Sequence, residues 1–209
     1  MLRAANHAAY HPEANVFISH AWKYKFLDVV DALLHHFNDR PDIVVWFDLF
    51  SNNQHQATAL TYDWWATTFY TAIAEFKYTV MVLSPWHDPI PLQRAWCLFE
   101  LYCTHDTGCR FEVALGEKGH KDFVDAIDSS DKTSSEVVNG MLARIDVRNS
   151  EAFKPEDKRM IHDTVRARVP GGFNKLNALV LELMRAWVLG IATEEFKRRS
   201  DKYGEAHQN

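Results

Sequence analysis

Trp96 and Glu100 stand four residues apart in the run Arg94-Ala95-Trp96-Cys97-Leu98-Phe99-Glu100-Leu101. On a helix that spacing puts both on one face. A flat indole beside a carboxylate suits a ligand made of a base and a ribose. The carboxylate can hold sugar hydroxyls and stabilise the positive charge of an oxocarbenium-like transition state at a sugar carbon. The same spacing also fits a core tryptophan next to a solvated helical glutamate.

Further polar residues follow apolar runs. Ser19 and His20 end the run from Asn15, Asp48 ends Ile43–Phe47, and Ser84 ends Tyr78–Leu83. If those runs are parallel strands, their carboxyl ends form one rim, and ligands bind at that rim in open α/β sheets. His20 there can contact phosphate or ribose, or serve a structural contact. Asp48 can accept from a ribose hydroxyl or cap a turn. Phe50, Asn53 and His55 belong to an amide-rich loop. Its side chains can read an adenine edge, make an oligomer contact, or close the loop by Asx turns. Trp22 and Trp86 flank the rim, where large aromatics also serve packing.

These positions require a particular scaffold. Asn15–Ser19, Ile43–Phe47, Tyr78–Leu83 and Arg110–Leu115 are short apolar runs rich in β-branched and aromatic residues, as buried strands are. A fifth strand is expected near Ile145-Asp146-Val147. Between the runs, apolar residues recur at helical spacing, as in Phe26, Val29, Val30, Leu33, Leu34 and Phe37. Helices are expected over Tyr62–Phe76, from Leu92 to about Thr104, and over Lys121–Ile127. Strands alternating with helices imply an α/β fold with a mostly parallel sheet of about five strands. After Lys154 the alternation stops. Pro155–Arg168 and Asn174–Arg198 read as two helices split by Pro170-Gly171-Gly172, giving a C-terminal helical extension over 151–200 beside a domain over 14–150. The apolar face of Leu176, Leu179, Val180, Leu183, Met184 and Trp187 must pack on its own domain or on a partner helix.

Composition narrows the function. With 23 Lys and Arg against 28 Asp and Glu, the net charge is −5. That gives no basic stripe to neutralise phosphates, so nucleic acid is not an expected partner. No uninterrupted apolar run approaches the ~18 residues of a membrane span, and residues 1–9 have no apolar core of a signal peptide. The three clustered cysteines, Cys97, Cys103 and Cys109, read as reduced thiols of a cytoplasmic protein. Around Cys97 and Cys103 no CxxC or HxxxH spacing supports a zinc site. Neither GxxxxGK[ST] nor a strand-linked GxGxxG occurs, so a phosphate-binding loop and a dehydrogenase are unsupported.

Four segments taken in order resemble the TIR (Toll/interleukin-1 receptor) domain family over residues 14–150. They are Val16-Phe17-Ile18-Ser19-His20, Trp46-Phe47-Asp48, Val82-Leu83-Ser84, and Trp96-Cys97-Leu98-Phe99-Glu100-Leu101, the last like the WCLxEL helix of plant-type members. The whole resembles a divergent, plant-like subgroup. Two positions depart from the plant pattern: His20 and Ala21 stand where an aromatic and an arginine are usual. The resemblance implies a flavodoxin-like sheet and, in many members, NAD+ as substrate rather than cofactor, cleaved with a glutamate in this helix. It carries Glu100 over as the catalytic residue, and it implies self-assembly through TIR–TIR contacts. In NAD+ the nicotinamide leaves as a neutral molecule, so one carboxylate suffices, and the Trp96 face can attract the cationic ring. Other members are adaptors without activity, and a domain acting on another nucleotide is a third reading.

Overall fold

The computed structural model describes residues 14–40, 42–51, 61–128 and 132–206. Strands β1 (Val16–Ser19), β2 (Val45–Trp46), β3 (Tyr78–Val82) and β4 (Arg110–Ala114) form a parallel sheet in the order β2-β1-β3-β4. Phe17 pairs with both Trp46 and Thr79, and Val80 pairs with Glu112. Helices cover both faces, giving the α/β, flavodoxin-like architecture expected from the alternation.

The alternation of side chains along each strand sorts the core into two halves. Val16, Ile18, Val80, Val82 and Ala114 point to one side and pack with Val29 and Ala32 of helix α1 (Phe26–His36). Phe17, Met81, Leu83 and Val113 point to the other side. There they meet α3 (Tyr62–Phe76), α4 (Ala95–Asp106), and helix α8 (Gly172–Ala206). On α1 the inward face is narrower than its apolar residues suggest, since Phe26 and Leu34 stay 46% and 69% exposed.

Helix α4 has residues 97 to 104 buried without a break, because it lies between the sheet and the C-terminal helices. A helix enclosed on all sides needs no polar stripe, so the solvated alternative for Glu100 does not hold. Its start also differs from expectation. A 3-10 turn (Ile90–Gln93) comes first, and Arg94 is extended (φ −104°, ψ 125°) before α4 begins.

The sheet has four strands, not five. The Asp146 carboxylate accepts from the backbone N–H groups of Arg148 (3.0 Å) and Asn149 (3.3 Å), which turns the chain where a strand was expected. An isolated parallel bridge between Arg94 and Glu151 remains, with Ala95 N–H donating to Glu151 C=O and Glu151 N–H to Gln93 C=O, both at 2.8 Å. β2 is also shorter than Ile43–Phe47. Val44 N–H donates to the Asn15 side chain (3.1 Å) rather than to a strand. Its successor α2 (Asp48–Ser51) is a single turn.

Helices α5 (Glu117–Asp128) and α6 (Lys132–Ala143) precede α7 (Pro155–Arg168), which opens on a proline with two acids in its first turn. Gly171 and Gly172 take positive φ (93° and 57°) and turn the chain into α8. Phe173, Leu176, Leu179, Val180 and Met184 join the same core cluster as the sheet residues, so the extension packs on the domain. Among the described residues Gly172–Asp201 is the one helix with the length and composition to cross a membrane. Its most apolar 18-residue window has a mean hydropathy of 1.4, and 22% of that window is buried. Glu182 and Arg185 interrupt that window in the sequence, which hides it from a search for unbroken apolar runs.

Candidate active site

Ser19 lies on the same side of β1 as Phe17, so its hydroxyl faces α4 and donates to Glu100 Oε2 at 2.5 Å. Both residues are buried (Ser19 0%, Glu100 7% exposed). The Glu100 carboxyl lines a cavity of about 150 Å3. Its walls are Phe17, Trp46, Trp65, Phe69 and Trp96; its polar groups are His20, Asp48, Arg94, Lys154, Asp157 and Glu100. Trp22 and Phe153 stand at the same cavity.

Burial pushes the Glu100 carboxyl up to about 8, with the neighbouring Asp48 charge adding to the shift and the Ser19 hydrogen bond opposing it. Desolvation penalises the charged form, and one hydroxyl donor does not offset it. Glu100 is therefore mainly protonated at neutral pH. His20 is lowered, again chiefly by burial, with Asp48 opposing. Its Nε2 makes no hydrogen bond among the described residues and sits 3.6 Å from Asp48 Oδ1. The His20 ring packs tilted, at 39°, against Phe47, with 4.4 Å between centroids. Asp48 accepts from the Trp22 indole N–H at 2.6 Å. Trp96 donates its indole N–H to Asp157 at 3.0 Å, and its ring lies 5.5 Å from Tyr62. Burial raises the Cys97 thiol, so that residue is an uncharged wall of the cavity and not a nucleophile.

Of the residues singled out in the sequence, the cavity brings together Glu100, Trp96, His20 and Asp48, with Ser19 bonded to Glu100. Trp22 lines it as well, whereas Phe50, Ser84 and Trp86 lie elsewhere. Phe50 is 71% exposed and touches the rings of Phe26 and Phe47. The Ser84 backbone N–H donates to the Tyr24 hydroxyl at 3.0 Å. Trp86 is buried against Phe123, at 5.1 Å, in the core. Neither Ser84 nor Trp86 lines the cavity. Both follow β3, on the far side of the central strand from β2, while the cavity opens toward β1 and β2. Asn53 and His55 fall outside the described residues.

Sequence reasoning missed Arg94, Phe153, Lys154 and Asp157. Arg94 was visible beside the WCLFEL segment. The other three come from the start of the C-terminal extension, more than fifty residues away. The Arg94–Glu151 bridge carries them to the site, and no periodicity announces a bridge of one residue pair. Among the described residues no group of three His, Cys, Asp or Glu side chains is placed to hold a metal ion.

No protein-family model matches the chain, and comparisons with curated proteins and with solved structures return no match.

Proposed function

We propose that this protein is an NAD+ nucleosidase that breaks the bond between nicotinamide and ribose. The observation that carries the reading is a buried carboxyl, Glu100, at a cavity whose apolar walls are tryptophan and phenylalanine rings. An aromatic enclosure favours a planar cationic ring over water. The uncharged Glu100 is poised to ionise when such a cation arrives, because an opposite charge favours the carboxylate.

The reaction is NAD+ plus water giving nicotinamide, ADP-ribose and a proton. The C1′–N bond breaks, and its electron pair stays on the pyridine nitrogen, which leaves neutral. Positive charge develops on C1′ and the ring oxygen, where the Glu100 carboxylate lowers its energy. A water oxygen then bonds to C1′ and releases its proton to a carboxylate or to solvent. Capture of C1′ by a group of the same molecule would give a cyclic product instead. His20 Nε2 and Asp48 are positioned at the same cavity to hydrogen-bond ribose hydroxyls. NAD+ is the substrate here, and the chemistry requires no bound cofactor.

The test is release of free nicotinamide from NAD+ by concentrated protein, wild type against Glu100→Gln. Release by the wild type and its loss in the variant support the reading. No release from the wild type, even when the protein is clustered on a surface, removes it.

A second role, homotypic assembly without activity, is favoured by one observation. Phe50, Phe26 and Leu27 are 71%, 46% and 75% exposed, and the first two touch at 5.6 Å. Neighbouring exposed apolar residues mark contact surfaces. Sedimentation at rising concentration tests it: Phe50→Ser should abolish a self-association that the wild type shows. The two roles are compatible, and cytoplasmic signalling through assembly accommodates both.

A further inference from the structure

The cavity encloses about 150 Å3. That is well below the ~300–1,000 Å3 surrounding a whole drug-sized ligand. A dinucleotide can place one end inside, and the remainder must cross the rim, so the charge and rings of the rim select what that remainder is.

The carboxylates at the site are already engaged. Asp48 accepts from Trp22, Asp157 from Trp96, and Glu100 from Ser19. The cations are Arg94, which is in the bridge to Glu151, and Lys154, three residues beyond Glu151. Arg94 makes no ion pair with the carboxylates of the described residues. Between the bridge and Lys154 stands Phe153, 79% exposed although it lines the cavity. A large ring held in water at a cavity mouth is a platform for another flat group.

We propose that Arg94, Phe153 and Lys154 form a subsite for a nucleoside diphosphate, with the two cations on the phosphate oxygens and the Phe153 ring against the base or ribose. The subsite rests on the nucleosidase reading for the choice of dinucleotide, while its own claim is one of binding. Charge-assisted hydrogen bonds to phosphate are the stronger kind, and a guanidinium can take two oxygens at once. The start of the C-terminal extension is then part of the substrate site rather than only a cover on the core. It fixes the preference for a substrate that carries phosphates over the bare nucleoside.

The experiment has two arms on the full chain. In the first, ADP-ribose is titrated into protein by calorimetry, which needs no turnover. Lys154→Ala should weaken binding by about tenfold or more, and Lys154→Arg should restore most of it. Phe153→Ala should weaken it several-fold. In the second arm, kcat/KM is compared for NAD+ and for nicotinamide riboside, which has no phosphate. The ratio of the two should fall by about tenfold in Lys154→Ala. Wild type that does not bind ADP-ribose, or a Lys154→Ala protein that binds it equally, overturns the subsite. If ADP-ribose binds with the expected Lys154 dependence but no nicotinamide is released, the subsite stands and the nucleosidase reading falls.

Discussion

Two glutamates, one on a helix packed against β1 and one on the edge strand β4, have opposite fates. Glu100 packs against the carboxyl end of β1, where burial pushes it up to about 8. Glu112 sits at the middle of β4; desolvation would raise it, but its partners hold it down to about 2. His36 lies 2.8 Å from Glu112, the Tyr78 hydroxyl and Arg110 donate to it, and Arg40 stands 3.6 Å away. Among the described residues Glu100 has one donor, Ser19, and no cation bonded to it. The difference separates a carboxylate used to hold structure from one kept uncompensated. A fully satisfied charge has nothing left to offer a ligand. A buried carboxyl with one partner gains most when a cation enters.

The comparison is tested first where the expected effect is largest. Glu100→Gln should cut nicotinamide release by about a thousandfold or more, the range for losing a central electrostatic group, and should leave the fold intact. Glu112→Ala should do the reverse. It strips the shared partner from His36, Tyr78, Arg40 and Arg110, and should cost about 2 kcal/mol in urea unfolding. That is less than the 3–5 of a fully buried pair because the site is partly exposed. Specific activity of the folded fraction should stay within twofold. A Glu112→Ala protein that loses activity without losing stability would erase the contrast.

Stability against pH sharpens it. Glu100 keeps its proton when folded over a range where the unfolded chain has released it. Its contribution therefore falls as pH rises from about 4.5 to about 8, by a few kcal/mol at about 1.4 kcal/mol per unit. Glu112 has the opposite sign. Its contribution is present above about 4.5 and is lost as pH falls toward about 2. Glu100→Gln should therefore flatten the melting temperature between pH 5 and 9 relative to wild type. Parallel curves for the two proteins would show that Glu100 titrates normally. The smallest effect is that of Ser19→Ala. Removing the one donor to Glu100 should favour the protonated form further and lower activity at pH 7 by about tenfold, with recovery at higher pH.

Much of this arrangement is legible in the residues. The β-branched runs mark three strands well, and the order of strand ends places His20, Asp48 and Glu100 on one rim. The apolar face of α8, from Leu176 to Met184, packs on its own domain, the first of the two alternatives its spacing leaves open. What escapes the sequence arises from contacts made by single residues. Asp146 captures two backbone N–H groups and removes the fifth strand. The buried state of Glu100 depends on α7 and α8 covering α4, which no feature of the WCLFEL segment reveals. Phe153, Lys154 and Asp157 reach the site through one backbone bridge. Ser84 and Trp86 end a strand correctly but on the wrong side of the sheet's centre to meet the cavity.

The central claim is that Glu100 waits uncharged at the cavity and acts when ionised. The pH dependence of kcat/KM for nicotinamide release from NAD+ tests it most directly, since that parameter reports groups of the free enzyme. The expected profile rises about tenfold per pH unit below pH 8 and levels above it. A profile that is flat from pH 6 to 9, or no release at any pH, would contradict the account.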